Sequence, residues 1–199
     1  MILRLRLAAA FAAAAIGMMG CDGFFTPAKS PFTGIDVTGG EMGGPLRLAD
    51  HDGQARSIEE FRGKVVVVVF GFTHCPDVCP TALADMAKAV RSLGDRGNDV
   101  QVLFVTVDPR RDTAELLRQY VPAFHPAFLG LRGSEAETSA VTRDFRVYAN
   151  ERPGKTPETY TVDHSAQSFV FDRGGRIRLL LPPGMASTAI ASDLRLLLN

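Results

Sequence analysis

Neither sign of charge predominates in this 199-residue chain. It has 22 Lys and Arg against 22 Asp and Glu, and no basic cluster interleaved with aromatics marks a face for a phosphate backbone. Nucleic acid is therefore not an expected partner. No internal repeat is present. Long apolar runs are scarce as well: the N-terminal stretch from Leu7 to Gly20 has about fourteen residues, short of the roughly 20 that a membrane-spanning helix needs. It follows Arg4 and Arg6 with no acid before it, which is the pattern of a secretory signal over residues 1–20. A single-pass anchor would have to recruit its flanks. With 46% apolar and 22% charged residues, the remainder suits one soluble domain with a sizeable core.

Cysteine is scarce too, present only as Cys21, Cys75 and Cys79. A small residue, Gly20, stands directly before Cys21, which resembles the processing site of bacterial lipoproteins, where the new N-terminal cysteine is acylated. Met18 occupies the place where Leu is usual. A lipidated Cys21 leaves Cys75 and Cys79 with only each other. Export puts that pair outside the cytosol, where thiols oxidise unless they are reduced or held by metal.

Residues 22–43 are rich in Gly, Pro, Ser and Thr without sustained period, so 21–43 is expected to be a flexible tether. From Gly44 the texture changes, and the domain is expected over 44–199. PLRLAD and QARSIEEF flank the turn HDG as a short hairpin. Val65–Val69 are five consecutive β-branched residues, the signature of a strand buried on both faces. Pro80 suits the first turn of a following helix, in which Leu83, Met86, Ala87 and Val90 keep helical spacing. VQVLFVTVD is a second buried strand, and Asp112 and Glu115 are placed as a capping box for the next helix. FLGLRG reads as a strand, SEAETSAVTRDFRVY as a helix and ERPGKTPETYTVD as a polar excursion. SFVFD-RGG-RIRLLL reads as a hairpin and STAIASDLRLLL as a closing helix. The order implies an α/β fold with a mostly parallel or mixed central sheet, helices on both faces and a late hairpin. With the cysteines at the first strand-to-helix turn, it resembles the thioredoxin fold.

The cysteine pair has three possible uses. As a disulfide staple it closes a loop of about five residues, worth roughly 2 kcal/mol against about 4.7 for a 100-residue loop. A cysteine at a helix N-terminus also feels the positive end of the dipole, which favours a reactive or ligating thiolate. Redox exchange and metal binding remain. Thiol oxidoreductases typically use C-x-x-C at this turn, whereas this chain has C-P-D-V-C, whose extra residue lets two sulfurs converge on an ion. Soft thiolates favour Cu(I), Zn(II) or iron–sulfur clusters, and two cysteines do not close a four-ligand zinc site. Four histidines are available. His51 and His125 sit in what read as surface loops, His74 adjoins Cys75, and His164 precedes a strand, where a core or hairpin role is the ordinary expectation. Asp77 lies between the cysteines as a solvated loop carboxylate.

The blocks GKVVVVVFGFTHCPDVCPTALADM, VTVDPRRDT and YTVDHSAQSFVFDRGGRI, in this order, resemble the Sco/SenC family of copper-binding proteins required for cytochrome c oxidase assembly. The resemblance implies that Cys75, Cys79 and His164 bind copper, the thiols suiting Cu(I) and the added imidazole Cu(II). It implies a metallochaperone for the CuA centre of oxidase subunit II, tethered by lipid or an N-terminal anchor to the periplasmic face of the cytoplasmic membrane of a bacterial envelope. A copper donor and a thiol reductant would be further partners. Asp163 would orient the imidazole, and His74 would line the site. Asp108, Pro109, Arg110 and Asp112 of the second block read as a strand end and a capped helix rather than ligands. The main alternative is an enzyme-like thiol–disulfide oxidoreductase that uses Cys75 and Cys79 as a redox pair to keep the subunit II cysteines reduced. A peroxidase and a passive oxidase subunit are more remote.

Overall fold

The valine run becomes a strand without one exposed residue: every side chain of Val65–Gly71 is buried. Full burial of each valine contributes about 1.5–3 kcal/mol, and both faces must be covered to obtain it. The structure, a computed structural model, describes residues 30–156 and 159–199. The expected leader over 1–20 and Cys21 lie outside the described residues.

In chain order the described strands are β1 (Ile35–Asp36), β2 (Arg47–Asp50), β3 (Ala55–Ser57), β4 (Val65–Gly71), β5 (Val100–Thr106), β6 (Leu129–Arg132), β7 (Ala149–Arg152), β8 (Thr161–His164), β9 (Ser168–Phe171) and β10 (Ile177–Leu181). The α-helices are α1 (Val78–Ser92), α2 (Ala114–Tyr120), α3 (Glu135–Asp144) and α4 (Ser187–Leu197). Eight strands form one mixed sheet in the order β1-β10-β9-β4-β5-β6-β2-β3. Only β4–β5 and β5–β6 pair in parallel. Val65, Val67 and Val69 pack with α1, α2 and α4 on one face. Val66 and Val68 pack on the other with Val141 and Phe145, from α3 and its C-terminal end. The fold is thioredoxin-like, as the element order implied.

Three expectations need correction. The polar excursion is itself a hairpin, with β7 pairing β8 from Ala149↔His164 to Arg152↔Thr161 as a separate two-stranded sheet. Part of the expected tether is held fast. Ile35 and Asp36 pair with Leu180 and Leu179, and the buried Asp193 of α4 accepts the backbone N–H groups of Thr33 (2.9 Å) and Gly34 (2.7 Å). The compact unit accordingly begins at Pro31 rather than Gly44. Finally, α2 is capped by Thr113, whose hydroxyl accepts the N–H of Leu116 at 3.1 Å, and not by an Asp112–Glu115 box.

Two hairpin turns of the main sheet are each closed by a buried carboxylate. Asp50 accepts from the N–H groups of Asp52 (2.8 Å) and Gln54 (2.9 Å) and from Arg56 Nε (2.7 Å). Asp172 accepts from the N–H groups of Gly174 (2.9 Å) and Arg176 (3.0 Å) and from the Arg176 guanidinium. Burial acts to raise both carboxyl pKa values, but these donors outweigh it and hold both below the ordinary value. A carboxyl whose folded pKa lies below its unfolded value of about 3.9 contributes stability above that pH and loses it as pH falls through the folded value. The urea midpoint is therefore expected to drop below about pH 4. The Asp50→Asn/Asp172→Asn double variant should show a shallower acid limb, and an acid limb as steep as the parent's would contradict the assignment.

Candidate metal centre

Strand β4 delivers the chain to the loop Thr73–Asp77, and α1 starts at Val78, so the two cysteines straddle a strand-to-helix turn. Cys75 is half-buried in the loop and Cys79 is buried in the first turn of α1; both thiols are free. Cys75 Sγ accepts the backbone N–H of Cys79 at 3.4 Å, which places that sulfur at the positive end of the helix. A Cβ on Gly71 would lie 3.0 Å from Cys79 Sγ and 2.7 Å from Phe104 Cε2. Glycine at the end of β4 is what lets the second sulfur sit against the strand.

The third group arrives from the far end of the chain. His164 closes β8, and its Nε2 lies 3.4 Å from Cys79 Sγ. Its Nδ1 lies 2.9 Å from the carbonyl oxygen of Ser165. A carbonyl only accepts, so Nδ1 carries the ring proton and Nε2 presents its lone pair to the sulfur. Bonds of about 2.3 Å to sulfur and about 2.0 Å to imidazole, at a near-tetrahedral angle, separate two ligands of one ion by roughly 3.5 Å. The Cys79–His164 pair already has that spacing. The edge of the Phe72 ring faces the imidazole at a centroid distance of 5.9 Å. Among the described residues no three His, Cys, Asp or Glu side chains are closed around one point.

Burial dominates the electrostatics of Cys79. It raises the thiol pKa well above its ordinary value, and the neighbouring Cys75 sulfur adds to the rise. The expected helix-terminus effect is outweighed there. A buried bare thiolate is unfavourable, so the neutral thiol is the favoured form at Cys79 in the absence of a compensating cation.

The loop is pinned from below by Asp112, which has no exposed surface. Its carboxylate accepts from Thr73 Oγ1 (2.6 Å), Thr73 N (3.1 Å) and Thr106 Oγ1 (2.5 Å). Burial raises its carboxyl pKa, and these donors only partly offset that. Asp112 thus ties the end of β5 to the residue two before Cys75.

A family model described as SCO1/SenC matches residues 36–199. The chain belongs to the SCO1/SenC family. This Sco/SenC chain is 39% identical over 137 residues to a SCO2-like protein of Rickettsia prowazekii, covering 68% of the chain and 67% of that relative. It is 42% identical over 134 residues to the human mitochondrial SCO2 homolog, covering 66% of the chain but only 50% of the human protein. Among solved structures it is similar to Bradyrhizobium japonicum ScoI with copper bound. That match has a TM-score of 0.72 at 37% identity and covers 78% of this chain and 99% of that one.

Other Sco/SenC positions singled out from the sequence fall differently. Asp163 does not orient the imidazole: it pairs with Arg152, and the Ser165 carbonyl takes the orienting role. Adjacent strand residues point to opposite faces, so Asp163 was badly placed for that task. His74 is exposed, with Nδ1 3.1 Å from Thr73 Oγ1 and 3.9 Å from Asp112 Oδ1; it joins the loop-pinning network rather than lining the thiols. Asp77 is exposed and accepts from Thr81 Oγ1. His51 is buried, not a surface residue, and its Nδ1 accepts the N–H of Gly130 at 3.1 Å. His125 stacks on Phe128.

The second block does more than cap a helix. Asp108 accepts from Tyr160 Oη (2.7 Å) and Arg111 Nε (2.5 Å), which joins the end of β5 to the residue that leads into β8.

Proposed function

We propose that this chain is a copper metallochaperone in which Cys75, Cys79 and His164 hold the metal as cargo. The observation that carries the reading is the 3.4 Å approach of the His164 lone-pair nitrogen to Cys79 Sγ, with Cys75 Sγ in the preceding loop accepting the Cys79 N–H. Two thiolates suit Cu(I) and the imidazole adds the nitrogen that Cu(II) favours. Two thiolates with Cu(II) make a neutral centre, which agrees with its burial; with Cu(I) one negative charge is left over. The copper-bound ScoI relative supports copper as the cargo.

The acceptor in this reading is the CuA site of cytochrome c oxidase subunit II, loaded by ligand exchange from a reduced dithiol. A donor and a reductant supply copper and electrons at the periplasmic face of the membrane. The leader at 1–20 and a lipid on Cys21 would tether the domain. Among the described residues no helix is long and apolar enough to cross a membrane.

A second reading, thiol–disulfide exchange on subunit II, draws on one observation: a half-buried thiol beside a buried one, both free. Titration with Cu(II) separates the two. The copper reading expects one equivalent bound with a visible Cu(II)–thiolate absorption, lost in His164→Ala while Cu(I) binding persists. Metal-independent exchange activity with no effect of His164→Ala on copper would favour the second reading.

A further inference from the structure

The β7–β8 hairpin carries His164 but shares no ladder with the eight-stranded sheet. Every residue of β7 is exposed, and in β8 only Val162 is buried. The β9–β4 ladder ends at Val69↔Ser168, so it brings His164 to the cysteine end of the sheet but stops four residues short of fixing its ring at Cys79. Arg110 ties the exposed strand of the hairpin to the loop after β5, pairing with Glu151 and lying 4.8 Å from the Tyr160 ring centroid; the more buried tie, on the side of His164, runs through Arg111. Its Nε donates to Asp108 at 2.5 Å and its Nη1 to the Tyr160 carbonyl at 2.8 Å. Its guanidinium lies 3.6 Å from the Tyr160 ring centroid and 5.8 Å from that of Phe72. Tyr160 Oη closes the ring of contacts on Asp108 at 2.7 Å. Phe72, on the other flank of Arg111, is the ring whose edge meets His164. Asp108 is buried and the Arg111 side chain is 18% exposed, so the charge pair is largely desolvated and geometrically constrained.

We propose that Arg111 is the positioning residue that holds His164 at Cys79 and thereby sets the affinity for Cu(II), without itself touching the metal. The copper half of this inference rests on the proposed function; the positioning half does not. Arg111 fixes Tyr160, four residues ahead of His164, and packs against Phe72 beside the imidazole. Loss of the clamp frees the imidazole and leaves the thiol pair in place. Cu(II), which needs the nitrogen, is then weakened selectively, and Cu(I), which two thiolates satisfy, is not.

The test uses the full chain with Arg111→Met, Arg111→Lys and Tyr160→Phe, and reads it first without metal. In the reduced parent, the His164 ring-proton resonances should be displaced by the Phe72 ring. In both Arg111 variants they should move toward free-histidine values. Lysine keeps the charge but not the planar fork, so it is not expected to rescue. With copper, Cu(II) affinity should fall about 10- to 100-fold, the Cu(II)–thiolate band should shift, and Cu(I) affinity should hold. Combining Arg111→Met with His164→Ala should add nothing to the Cu(II) loss of His164→Ala alone. If Arg111→Met fails to fold, Tyr160→Phe, which removes one hydroxyl and keeps the stacked ring, carries the same two readouts with a smaller shift. Unchanged His164 resonances, or equal losses for Cu(I) and Cu(II), would overturn the inference. A parent that binds no Cu(II) would refute the copper reading and leave the ring spectrum to decide the clamp.

Discussion

Cys79→Ser is expected to weaken Cu(I) binding by about a thousandfold or more, because it exchanges a soft thiolate for a hard hydroxyl at a two-sulfur site. Cys75→Ser should lose copper to a similar degree, yet the two variants should part in stability. Cys75 is half-buried in the loop, and a serine there keeps an oxygen able to accept the Cys79 N–H. Cys79 is 2% exposed and packed against Gly71, so a hydroxyl placed there is desolvated, with the His164 ring, the Cys75 sulfur and the Phe72 backbone as its polar neighbours. That costs about 1 kcal/mol in unfolding free energy. Competition with a Cu(I) chelator and urea unfolding of the reduced proteins measure the two effects. Retention of tight Cu(I) binding by either serine variant would remove that cysteine from the site.

The second large effect is expected at a residue that touches no metal. Asp112→Ala should destabilise the fold by about 3–5 kcal/mol, since it strips acceptors from the Thr73 and Thr106 hydroxyls and the Thr73 N–H at a buried position. Asp112→Asn, which keeps one acceptor oxygen and the side-chain volume, should lose less. Both should loosen the loop that presents Cys75, so Cu(I) affinity is expected to fall in parallel with stability. This is the converse of the Arg111 variants, where Cu(II) binding alone falls. Urea unfolding with chelator competition checks the pair. A loss below about 1 kcal/mol for Asp112→Ala would show that water or other groups satisfy Thr73 and Thr106.

How much of this was legible in the chain depended on whether a residue's role was local. The five valines announced a doubly covered strand because burial on both faces leaves no polar positions. The two Asp-anchored turns of the main sheet, at HDG and RGG, showed as turn residues between apolar runs. The β7–β8 hairpin did not, because its outer strand is exposed throughout and carries no alternation. Asp112 stands where a helix cap is ordinary, and nothing nearby reveals that its partner is Thr73, 39 residues earlier. Thr113, one residue on, was an equally good cap, and choosing it would have left Asp112 free for another task. Likewise Arg111 lies between two helix-start signals, and its contact with Tyr160 exists only once the hairpin folds back over β5. The thiol pair was visible as a motif. The partnership of Cys79 with His164, 85 residues away, entered through the family resemblance, and the structure then placed the two side by side.

One measurement bears most directly on whether this site delivers copper. The reduced, Cu-loaded protein is mixed with the metal-free soluble domain of cytochrome c oxidase subunit II, and the visible and electron paramagnetic spectra of the acceptor are followed. Copper is expected to leave Cys75 and Cys79, and after one-electron oxidation of the re-isolated acceptor with ferricyanide the mixed-valence binuclear CuA spectrum should appear. Acceptor thiols reduced with no copper transferred would contradict copper delivery.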